Sequence, residues 1–268
     1  MKTILVHVDS DDGQESRLQA AFDLARAFEA HVHCLQVTPY SAYAMGDTGM
    51  GAFPITAMVD AIEAQRRDER TKIEARLRTE GLGWDWVSRD GDSAERLVEA
   101  ARLADVVVLN SGPFATGGGI RLALTGDVAI HAPAPVVAVS PTSRGIAVTG
   151  AALIAWDGSQ EAAQAMRAAL PMLKMAESVD ILTVAEKASD YRGRDAAVWL
   201  ARHGIRAEVI ERTDDGGVEA VIRAVLIERR SAWLVQGAYG HSRLRQTLFG
   251  GVTRGLLTDA PVPLLLGH

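Results

Sequence analysis

An internal repeat constrains this chain more than any other feature, because self-similarity over half the length fixes the architecture before single elements are considered. Ile4-Leu-Val-His-Val-Asp9-Ser10 has a counterpart in Leu153-Ile-Ala-Trp-Asp157-Gly-Ser159, each a short apolar run closed by an acidic residue and followed by a helical pattern. Val32-His-Cys-Leu-Gln-Val37 resembles Val179-Asp-Ile-Leu-Thr-Val184. Asp90-Gly91 leads through a helix into Asp105-Val-Val-Val-Leu109, as Asp215-Gly216 leads into Ala232-Trp-Leu-Val235. Each half ends in a proline-punctuated apolar run, Pro133 to Val139 and Pro261 to Leu266.

The offsets between matching segments are unequal. Asp9 and Asp157 lie 148 apart and Val37 and Val184 lie 147 apart, but Gly91 and Gly216 only 125. The first half therefore carries about twenty-two extra residues between its second and third strands. The expectation is that they form a loop around Pro39–Pro54, a stretch with three glycines between two prolines.

Each half reads as five strands alternating with four helices. Unalternating runs such as Val106 to Leu109 suit a sheet covered on both faces, which points to parallel strands. In the first helix Leu18, Ala21, Phe22, Ala25 and Phe28 share one face. The fold class expected is α/β, two tandem open parallel five-stranded sheets with helices on both faces. At 268 residues the chain is long enough for one large domain or two smaller ones. The repeat favours two, 1–143 and 148–268, joined near Pro141–Gly145.

Charge and cysteine usage narrow the partners. A net charge of −6 gives no basic footprint for nucleic acid. Cys34 is the single cysteine, so neither a disulfide framework nor a cysteine-rich zinc site is available. His7 and Asp9 interrupt the N-terminal apolar run, and no stretch approaches the ~18 apolar residues of a membrane span. A cytoplasmic protein is expected, with no membrane partner.

In open parallel sheets ligands bind outside the carboxyl ends of the strands. There the second half carries Gly237-Ala-Tyr-Gly240-His-Ser-Arg-Leu-Arg-Gln-Thr-Leu-Phe-Gly250-Gly251-Val-Thr253, leading into a helix. Glycines let backbone amides approach an anion, and a helix N-terminus adds unpaired N–H groups, so this segment reads as a phosphate cradle. It is neither a P-loop nor the dinucleotide fingerprint, because the glycines follow the fourth strand and no Gly-Lys-Ser/Thr is present. Taken singly, each glycine pair is as readily a tight turn or a helix start.

The combined spacing, Gly237, two residues, Gly240, nine residues, Gly250, together with Asp157-Gly158-Ser159 after the first strand, resembles the universal stress protein family in its tandem two-domain form. The pattern departs at Gly251, where the family's nucleotide binders carry Ser or Thr. The resemblance implies a Rossmann-like fold akin to the adenine-nucleotide α-hydrolases. It also implies ATP, with or without Mg²⁺, as ligand of the second half, and a regulatory role in stress response rather than turnover, at most slow hydrolysis. Carried over by residue, Asp157 and Val184 would flank the adenine. Gly237 and Gly240 would line the ribose and α-phosphate, and Gly250, Gly251, Val252 and Thr253 would hold the β- and γ-phosphates. His241, Arg243 and Arg245 are candidate phosphate cations or an exposed basic turn. Trp156 is open to three readings, stacking on a base, blocking the pocket, or packing against the neighbouring domain.

In the first half Leu122 stands where the second has Gly250, and Pro113 removes an amide from the turn, so no ATP site of this kind is expected there. His31 and His33 share one strand face and Cys34 the other, which argues against a metal site. Asp9, Asp11 and Asp12 read as a helix-capping acidic loop more simply than as Mg²⁺ ligands. Gly-x-Ser-x-Gly and His-Glu-x-x-His are absent. An adenylating enzyme of the same broad fold would need a Ser-Gly-Gly-x-Asp-Ser loop that neither half has.

The competing class is a nucleotide-free interaction scaffold that engages a signalling protein. Family members associate through terminal strands, so an intrachain pseudo-dimer is implied, Val136–Val139 pairing with Leu264–Leu266. A further homodimer is left open, with Tyr43, Met45, Met50 and Phe53 of the Tyr40–Phe53 loop as candidate contacts or lid.

Overall fold

The computed structural model describes residues 1–38, 55–112, 118–185, 191–214, 216–238 and 251–268. The first half contributes β1 (Thr3–Val8), α1 (Gln14–Phe28), β2 (His31–Thr38), α2 (Ile55–Glu80), β3 (Trp84–Asp90), α3 (Ser93–Ala100), β4 (Val106–Asn110), α4 (Gly118–His131) and β5 (Val136–Val139). The second contributes β6 (Ala152–Ala155), α5 (Gln160–Leu173), β7 (Val179–Ala185), α6 (Gly193–Arg202), β8 (Glu208–Thr213), α7 (Val218–Glu228), β9 (Trp233–Gly237), α8 (Gly251–Thr258) and β10 (Leu264–Gly267).

Within each half the five strands are parallel, in the order β3-β2-β1-β4-β5 and its mirror β10-β9-β6-β7-β8. The two five-stranded sheets meet through the expected pairing of terminal strands, β5 and β10 running antiparallel, and so form one continuous ten-stranded sheet. Val136, Val137 and Ala138 face Leu266, Leu265 and Leu264 in that seam. β4 shows why these strands lack alternation: all five of its residues are buried, since helices cover both faces. One apolar layer packs Ile4, Phe22, Val137, Met172, Trp233 and Leu265 against α1, α5 and α6. The opposite layer packs Leu5, Leu109, Leu182, Leu257 and Leu266 against α3, α4, α7 and α8.

The extra residues of the first half are helix as well as connection. α2 runs for 26 residues where its counterpart α6 has 10, so the expected loop accounts for only part of the insertion. Its polar surface is held by pairs at helical spacing, Arg70–Glu74 at 2.6 Å and Arg78–Glu74 at 2.9 Å, which the sequence reading passed over. The Tyr40–Phe53 loop proposed as a lid or contact lies outside the described residues.

Candidate functional site

In the second half β6 is the switch strand, with β9 on one side and β7 on the other. Three of the expected site residues stand around its carboxyl end: Asp157 just beyond β6, Val184 near the end of β7 and Gly237 at the end of β9. α8 begins at the same end of the sheet, since the chain leaves β9 there and α8 leads back toward the start of β10. Gly251, its first residue, is exposed, Val252 is half-buried and Thr253 is buried. Gly240, His241, Arg243, Arg245 and Gly250 lie outside the described residues.

The two described motif glycines answer to different constraints. A Cβ on Gly237 would stand 2.6 Å from the Ala162 backbone nitrogen and 2.7 Å from the Glu161 carbonyl carbon, so this glycine lets the first turn of α5 rest on the strand end. Among the described residues, a Cβ on Gly251 would meet nothing within 4 Å, so none of them imposes the residue choice there.

Asp157 is exposed, and its Oδ1 accepts from the Ser159 backbone N–H at 2.9 Å. Ser159 caps α5 through an Oγ that accepts from the Ala162 N–H at 3.1 Å. Trp156 is buried, and its Nε1 donates to the Tyr191 carbonyl at 3.1 Å ahead of α6. Its indole belongs to the apolar layer of α5 and α6, opposite the face on which Val184 and Val252 pack.

The matching end of the first half is filled by its own side chains. The buried Arg17 of α1 reaches across the ends of β1 and β4. Its Nε donates to the His7 carbonyl at 2.9 Å, Nη1 and Nη2 engage Asp11 at 3.0 and 2.8 Å, and Nη1 also bonds Asn110 Oδ1. Asn110 Nδ2 donates to Ser16 Oγ at 2.8 Å and to the Val139 carbonyl at 3.1 Å. Toward β2, the buried Glu69 of α2 accepts from Ser10 Oγ and from Gln36 Nε2, the latter at 3.1 Å. Glycine also changes place between the halves: a Cβ on Gly13 of the helix entry would strike the Asn110 side chain, where the second half has its glycine on the strand at 237.

The acidic loop does not cap α1 as expected: Gly13 is the N-cap with no side-chain cap bond, and Asp11 Oδ1 accepts from the Gly13 N–H at 2.7 Å in the turn ahead of the helix. Strand register equates Leu5 with Leu153 and so Asp9 with Asp157, yet the turn made by Asp157 is made here by Asp11, because two more residues separate Asp9 from its helix than separate Asp157 from α5. The sequence reading missed Arg17, Asn110 and Glu69. The one available signal was Arg17 beside Leu18 on a helix otherwise facing the core. His31 and His33 share a carboxylate, their rings bonding Asp85 at 2.8 and 2.7 Å. No group of three or more His, Cys, Asp or Glu suited to a metal ion occurs among the described residues. Nor is any helix among them long and apolar enough to cross a membrane.

Solved structures share this architecture. A universal stress protein from Archaeoglobus fulgidus DSM 4304 superposes with a TM-score of 0.78 at 16% identity, over 99% of this chain and 95% of its own. A functionally unknown protein from Pseudomonas aeruginosa PAO1 does so with a TM-score of 0.60 at 17% identity, over 100% of this chain and 92% of its own. No curated protein matches the sequence. The sequence model of the universal stress protein family matches residues 1–140, the half whose strand ends are filled from within. With that match over half of its length and this fold throughout, the chain belongs to the universal stress protein family.

Proposed function

We propose that this protein is a nucleotide-responsive regulator in stress adaptation that binds ATP in its second unit, residues 148–268, and none in residues 1–143. One observation carries the reading, the contrast between equivalent strand ends. In the first half Arg17, Asp11, Asn110 and Glu69 occupy the crevice. In the second, no described residue stands within 4 Å of a Cβ placed on Gly251 at the start of α8, Asp157 and Val184 lie at the same end of the sheet, and a Gly-2-Gly-9-Gly spacing leads into that helix. Backbone N–H groups at that helix end suit phosphate oxygens, and Asp157 suits a ribose hydroxyl. The proposal is for binding, with Mg²⁺ as counter-ion of the phosphates, and turnover is not part of it.

Thermal unfolding with Mg-ATP, with ATP in EDTA and with neither tests this. Nucleotide at a hundred times its Kd stabilises by about 2.7 kcal/mol, so a rise in Tm of several degrees is expected with Mg-ATP. An unchanged Tm at millimolar nucleotide counts against the reading. A specific observation favours the alternative, a nucleotide-free interaction scaffold: Gly237 is explained by the approach of α5 and Asp157 by the turn before it. Adenine nucleotide released from the denatured purified protein, read by mass spectrometry, would remove the scaffold reading.

A further inference from the structure

We infer that the side-chain amide of Gln236 is a phosphate donor of the second half, reaching the ligand from the sheet rather than from the glycine segment. This rests on the nucleotide reading above. Side chains alternate along a strand, and Leu234 packs in the apolar layer that contains Leu256 and Leu257 of α8. Gln236, two residues on, therefore faces α8, while Gly237 faces α5. It lies opposite Leu266 near the carboxyl end of β10. Val184 and Val252 pack on the same face.

The amide is out of place there unless something accepts from it. Gln236 is 4% exposed and its Nε2 has no hydrogen-bond partner among the described residues. A buried amide donor left unpaired is costly, and folded proteins rarely keep one. The fold does not require it, because the position equivalent by strand register in the first half is Leu109, apolar and 1% exposed. The half with the filled crevice has the leucine; the half with the glycine motif has the donor. A phosphate accepts hydrogen bonds without donating any, so Nε2 and the N–H groups opening α8 supply what it needs from two elements.

Calorimetric titration of the full-length protein with Mg-ATP tests this, comparing wild type with Gln236→Met, similar in length and lacking the donor, and with Gln236→Glu. Expected for Gln236→Met is a roughly ten- to hundredfold weaker Kd with an unliganded Tm equal to or above wild type, since a donor bonding a charged group is removed along with its burial. Gln236→Glu should bind more weakly still, because its carboxylate faces a phosphate. Wild-type affinity in Gln236→Met overturns this inference and leaves the nucleotide reading standing, whereas a wild-type protein that binds no ATP overturns both. Lost affinity together with a lower unliganded Tm marks a packing role and overturns the inference. Equal losses in the two variants overturn the assignment to phosphate.

Discussion

Single residues decide what the two strand ends are able to hold. Arg17 and Asp11 form a pair whose side chains are each 3% exposed, and burial of both charges is sustained because the guanidinium also bonds the His7 and Asp9 carbonyls. Asp157, which makes the equivalent turn in the second half, stands exposed at the surface. Cys34 illustrates burial acting on reactivity: loss of hydration, with Asp85 and Glu74 adding to it, pushes its thiol up to about 12. Nucleophilic attack requires the thiolate, so native protein should leave an aromatic disulfide reagent unreacted at pH 8, while the guanidinium-unfolded chain reacts fully within minutes. Prompt reaction of the native protein would show that β2 opens readily.

Among the elements, α5 and α8 explain why two glycines of one motif are not interchangeable. Gly237→Ala forces a methyl against backbone atoms of α5 that cannot turn aside, and a loss of about 1–3 kcal/mol, read as a lower urea midpoint, is expected. Gly251→Ser meets no described residue at a helix start and should leave stability within about 0.5 kcal/mol of wild type. It also restores the hydroxyl of the family pattern, so on the nucleotide reading it tightens Mg-ATP binding, by calorimetry. A weaker Kd in that variant would show that the hydroxyl has no phosphate to meet. α2 makes the opposite contribution to the first half. Its length brings Glu69 over the ends of β1 and β2, where Ser10 and Gln36 hold it.

At the scale of the whole molecule the seam between β5 and β10 makes two similar halves one structure. Leu265, 1% exposed and opposite Val137, belongs to an apolar layer that draws on both halves. Leu265→Ala should cost about 2–5 kcal/mol, and amide exchange should quicken in β4 and β5 as well as in β9. Faster exchange confined to the second half would show that the halves unfold independently. The repeat, the parallel halves and the seam strands were legible in the sequence, because strand runs and helical periodicity are local signals. Spatial juxtaposition was not. Only the tertiary structure put Ala162 against Gly237, drew Arg17 across two strand ends, continued the first-half insertion as helix under Glu69, and left the Gln236 amide without a partner beside α8. Each of those depends on which atoms a second element brings within about 4 Å, and no single segment of chain carries that information.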